Sequence, residues 1–150
     1  MESLGFLIGH LVGDYILQND WMAKNKSNPI ATPFAQDIFS TLKYSPIELE
    51  QRSKGKADEY RGHVACTIHC LLYTLAIFLF SYISLHWTAY LIIFLTHWFI
   101  DRFRLAKILM VNLLGQKEFA TGLLSPWSII VVDNTLHLMV LYSVGLYLYA

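Results

Sequence analysis

Three aspartates stand four residues from a histidine inside otherwise apolar stretches: His10 and Asp14 in "HLVGD", His97 and Asp101 in "HWFID", and Asp133 and His137 in "DNTLH". Four residues is just over one helical turn, so each pair projects from one helix face, one side chain above the other. Each pair offers an imidazole nitrogen and a carboxylate oxygen to the same cation. His69, in "HCLLYT", is a fourth and unpaired imidazole in such a stretch. One pair alone would read as a hydrogen bond between helices. Three among four histidines is roughly a 0.2% coincidence on random placement, and needs a shared explanation.

That explanation is charge. Burying a carboxylate in a low-dielectric interior costs several kcal/mol, and no Lys or Arg is expected at the depth of these three. One or two divalent cations would compensate them. Mixed His and Asp donors suit zinc first, then iron, manganese or nickel, better than magnesium or calcium. The expected ligands are His10, Asp14, His69, His97, Asp101, Asp133 and His137. They exceed one tetrahedral set, so the options are a two-ion centre or one ion with surplus carboxylates beside it. Asp14 and Asp101 are the expected catalytic carboxylates, with Asp101 preferred as base. Gln18 continues the His10–Asp14 face, Lys24 stands where it would meet a phosphate, and Asn134 belongs to the inward row. These three are the expected substrate-binding groups, although Gln18 and Asn134 fit helix–helix hydrogen bonds as well.

The elements carrying these residues read as membrane helices. The chain is 55% hydrophobic and only 15% charged, with zero net charge and a mean hydropathy of +0.44. A soluble domain carries about a quarter charged residues, and the absence of any basic excess argues against nucleic-acid binding. Apolar periodicity predicts an all-α bundle of four transmembrane helices, over about 3–24, 62–85, 87–104 and 126–149. A long connection over about 25–61 joins the first two, and an amphipathic segment is expected over about 102–118. In the third helix Arg102 and Arg104 would snorkel to the interface. The two connections holding Lys and Arg fall on one side, which the positive-inside rule makes cytoplasmic, with both termini opposite. At about 1.5 Å per residue the His and Asp groups then fall in one layer near that side. Leu4 to Leu17 lacks the flanks of a removable signal peptide. Cys66 and Cys70 have neither disulfide-framework nor zinc-finger spacing and read as helix filler.

"GHLVGDYILQNDWMAKNK", "HCLLYT", "HWFIDRFR" and "VVDNTLHLMV", in that order, resemble domain-of-unknown-function family 3307. That resemblance implies a small multi-spanning membrane protein of bacteria or their phages, placing the chain in a bacterial inner membrane. It carries no activity. His10, Asp14, Gln18, Trp21 and Lys24 fill the family's opening pattern, while Asn134 stands where a Gln is expected. A more distant likeness is to inner-membrane metal-dependent hydrolases, at the level of layout only.

The leading expectation is an intramembrane metal-dependent hydrolase acting on a lipid, a lipid-linked group or a membrane peptide, through a water activated by the ion. Two rivals remain: a proton or metal-ion transporter, and a factor that binds a membrane-protein partner around a structural metal.

Overall fold

The computed structural model describes residues 2–27, 55–81, 85–125 and 127–149. No proline falls inside a described helix, and no strand occurs among the described residues. Helix α1 (Glu2–Leu11) runs into a π-helical turn (Val12–Ile16), and α2 (Asp20–Asn25) follows a break. Helix α3 spans Gly55–Phe80 and α4 spans Trp87–Phe103. Then come α5 (Leu105–Ile108), a second π turn (Leu109–Leu113), α6 (Lys117–Thr121) and α7 (Trp127–Tyr149). Helix α1 packs on α3, α3 on α4, α4 on α7 and α7 back on α1, so four helices close a ring.

The all-α expectation holds, but the boundaries differ. The first expected helix, 3–24, is broken. Asn19 is extended (φ −87°, ψ 168°) and its Oδ1 accepts from Met22 N at 2.9 Å, a side-chain cap that starts α2 afresh. Helix α3 begins at Gly55, seven residues earlier than expected, and ends at Phe80. Of the connection expected over 25–61, residues 28–54 lie outside the described residues. The segment 102–118 is not one amphipathic helix. Arg104 takes a left-handed conformation (φ 53°) that ends α4, and Gly115 (φ 66°) separates the second π turn from α6. Arg102, expected to snorkel, is 2% exposed.

Among the described residues, two helices are long and apolar enough to cross a membrane, Glu59–Phe80 and Trp127–Tyr147. Leu4–Ile16 is apolar but shorter, and α4 has 17 residues. Polarity is inverted across the ring. Leu71, Phe78, Leu91, Phe99, Val131 and Tyr142 are exposed, while His10, His69, His97, Asp101 and His137 are buried. Phe6, Ile77, Leu85, Ala89, Ile93, Leu141 and Val144 form a largely apolar layer with the ring of Tyr73. On every helix that layer lies toward the same end relative to the His and Asp residues, because successive helices alternate in direction.

Glycine lets the ring close. Gly5, Gly9 and Gly13 repeat every four residues along the α1 face that meets α3. A Cβ on Gly9 would sit 3.0 Å from Ile77 Cα, and one on Gly13 would sit 3.0 Å from Tyr73 Cα and 2.7 Å from its ring. A Cβ on Gly5 would strike the Phe80 carbonyl. This small-residue stripe is what close helix approach in an apolar setting requires. Gly13→Ala is expected to lower stability by about 1–3 kcal/mol through overpacking. Gly145→Ala, whose Cβ would stand 3.7 Å from Phe6, leaves thermal unfolding unchanged or slightly raised. Thermal melts followed by tryptophan fluorescence compare the two.

Candidate metal centre

The centre is built on two imidazoles. His69 Nε2 and His97 Nε2 lie 3.0 Å apart, and Asp101 Oδ2 lies 3.1 Å from the first and 3.3 Å from the second. With zinc–ligand bonds of about 2.0–2.1 Å, tetrahedral ligands stand about 3.3 Å from one another. The triangle therefore has the size of one face of such a site. Asp14 Oδ1 makes a second triangle on the same edge, 3.3 Å from His69 Nε2 and 3.4 Å from His97 Nε2. Asp101 Oδ1 turns the other way, 3.5 Å from His137 Nε2, which is itself 3.5 Å from Asp133 Oδ2. Among the described residues, three groups could hold an ion: His69, His97 and Asp101; Asp14, His97 and His137; Asp101, Asp133 and His137.

Each donor is placed by its helix. His97 and Asp101 share one face of α4 by their four-residue spacing, as do Asp133 and His137 on α7. Asp14 sits in the π turn, where Leu17 N bonds back five residues to Val12 O at 2.9 Å. Such widened turns recur at functional sites because they re-aim a side chain. Here one carboxylate oxygen faces His10 Nδ1 at 3.3 Å and the other faces His69 and His97. Tyr73, His97 and His137 stack face to face, with ring centroids 3.7 Å and 4.0 Å apart. Stacking locks the direction of both imidazoles.

His10 departs from the expected ligand set. Asn134 Nδ2 donates to the Ile130 carbonyl at 2.7 Å, which leaves Asn134 Oδ1 to accept from His10 Nε2 at 2.8 Å. The Tyr73 hydroxyl lies 3.1 Å from His10 Nδ1 and donates to it. His10 belongs to none of the three groups; its ring nitrogens face Asn134 Oδ1 on one side and Tyr73 Oη and Asp14 Oδ2 on the other. Asn134 accepts from His10, and its amide also donates to Tyr15 Oη. Gln18 stands at the break before α2, its Oε1 buried without a hydrogen-bond partner. Lys24 points outward, its ammonium 3.9 Å from the exposed Asp20. Cys66 and Cys70 are free, buried and 4.0 Å apart.

Lys26 corrects the expectation that no cation reaches this depth. Its Nζ donates to Asp101 Oδ2 at 2.8 Å and lies 3.3 Å from His69 Nε2, with 17% of the side chain exposed. Burial pulls its pKa down, but the Asp101 and Asp14 carboxylates outweigh that and hold the ammonium above the ordinary lysine value. The step from buried Met22 to Lys26 is the four-residue signal that distinguishes it from Lys24. Tyr73 carries the same kind of signal, four residues after His69. With neutral imidazoles, Asp14, Asp101 and Asp133 supply three negative charges and Lys26 one positive charge.

Lys26→Met strands Asp101 and is expected to cost about 3–5 kcal/mol, since one partner of a buried pair is removed. Lys24→Met leaves the melting temperature unchanged. Parallel thermal unfolding of the two variants separates them. Compared with known protein families, curated proteins and solved structures, the chain matches none.

Proposed function

We propose that this chain is a membrane-embedded hydrolase dependent on one tightly held divalent transition metal, zinc first among the candidates. The observation that carries the reading is the His69–His97–Asp101 triangle, with edges of 3.0–3.3 Å among buried groups. The Lys26 ammonium meets Asp101 Oδ2 and His69 Nε2, which leaves His97 Nε2 and Asp14 Oδ1 crowded against the same edge. A central cation satisfies several at once.

The membrane setting is supported by the outward apolar faces. Only 39% of the Glu59–Phe80 window and 17% of the Trp127–Tyr147 window is buried, where the core helix of a soluble protein would be mostly covered. Four passes through a bacterial inner membrane, with the basic connections cytoplasmic and both termini opposite, complete the proposal.

An ion at the first triad would polarise the scissile group and acidify a water. Among the carboxylates, Asp101 is engaged by Lys26, His69 and His97 and is poorly suited to be the base. Asp133, with 28% of its side chain exposed, has room for a proton. In the proposal Asp133 takes the proton from the attacking water, His137 steadies the carboxylate, and the leaving oxygen is reprotonated from solvent. Hydrolysis is favoured over transport because, among the described residues, no buried charged group falls in the largely apolar layer from Phe6 to Val144.

The test is metal content by mass spectrometry on protein purified without chelator, with cobalt substitution to read coordination from its visible spectrum. One ion per chain is expected, lost in His69→Ala and Asp101→Asn and retained in Asp133→Asn. An ion-free protein, or equal content in all three variants, overturns the reading.

A further inference from the structure

A cavity of about 810 Å³ opens on the outer surface between α4, α7 and the α5–π segment. Its volume is that of a ligand site, within the usual range of about 300–1,000 Å³. Ile92, Thr96 and Ile100 form its α4 wall, one face over eight residues, which makes the trough about 12 Å long. Leu136, Val140 and Val144 form the α7 wall. The hydroxyls in the lining are already spent. Thr96 Oγ1 donates to the Ile92 carbonyl at 2.7 Å, and Ser143 Oγ donates to the Met139 carbonyl at 2.8 Å. Apart from Asn112, the walls offer an occupant only dispersion and apolar burial.

The helix register relates one end of the trough to the candidate centre, whose residues are not themselves in the lining. Asp133 lies three and seven residues before Leu136 and Val140, so it continues the same α7 row one turn further on. Asp133 also belongs to the Asp101–Asp133–His137 group. We infer that this groove is an acyl-chain subsite and that the substrate is a membrane lipid, its hydrocarbon tail along α4 and α7 and its cleavable linkage beside Asp133. The inference rests on the membrane-embedded hydrolase reading and narrows its substrate class. A peptide segment would leave its backbone N–H and C=O groups unmatched against these walls, whereas an alkyl chain has none to satisfy.

The experiment uses the full chain in nanodiscs containing phosphatidylglycerol with a diazirine at the acyl terminus. Photolabelling should concentrate on peptides covering 92–100 and 136–144, at least fivefold above the outward residues Leu71, Leu75 and Phe78 of α3. Val140→Trp and Thr96→Phe fill the trough from opposite walls, and each should cut that labelling about tenfold, the loss expected when roughly 1.4 kcal/mol of binding is removed. Metal content of both variants should stay at the unmodified level. Even labelling over all outward faces, or labelling indifferent to both substitutions, overturns the subsite. Groove labelling in a protein that holds no ion sinks the metal centre and leaves the subsite standing.

Discussion

One buried carboxylate organises this molecule. Asp101 receives Lys26 at 2.8 Å and His69 at 3.1 Å on one oxygen and faces His137 at 3.5 Å on the other. An isolated charge there would be untenable, so three other segments of chain are drawn to it. Helix α3 brings His69, α7 brings His137, the end of α2 brings Lys26, and α4 supplies both Asp101 and His97. The ring of helices is the arrangement that lets all of them arrive without exposing the carboxylate.

The inverted polarity follows from the same demand. Ordinary cores gain stability by removing apolar surface from water, but here the interior at the centre is spent on polar groups and the apolar surface faces out. Cohesion must then come from close contact. The glycine face of α1 against Ile77 and Tyr73, and the stack of Tyr73 on His97 on His137, provide it through short-range dispersion that needs shape and no aqueous surroundings. The apolar layer from Phe6 to Val144 closes the far end, and the polar groups are thereby confined to one level.

Much of the centre was legible because helical spacing is a local property. His97 with Asp101 and Asp133 with His137 could be paired by counting four residues, and the all-α class followed from apolar runs without internal proline. What escaped was decided across helices. His10 looks like a ligand in "HLVGD" because its commitments, Tyr73 and Asn134, lie 63 and 124 residues away. Lys24 looked better placed than Lys26 because the Asn19 cap restarts the helix and resets which lysine faces inward. The π turn at Asp14 leaves no mark in composition. The trough between α4 and α7 is a property of how two helices diverge, which neither helix records alone.

The glycine stripe carries an ambiguity of its own. Gly5, Gly9 and Gly13 repeat at the same interval as His10, Asp14 and Gln18, so the helix is a ruler whose contact marks and chemical marks share one period. A shift of α1 along α3 by one interval would bring a glycine to two of the three places that glycines now hold, yet would deliver Gln18 where Asp14 belongs. The π turn and the Asn19 cap occur once, at one end of the ruler, and have no equivalent one interval away. The irregular end of the helix is therefore its index mark: a break in periodicity selects the alignment that a perfectly regular helix would have left degenerate.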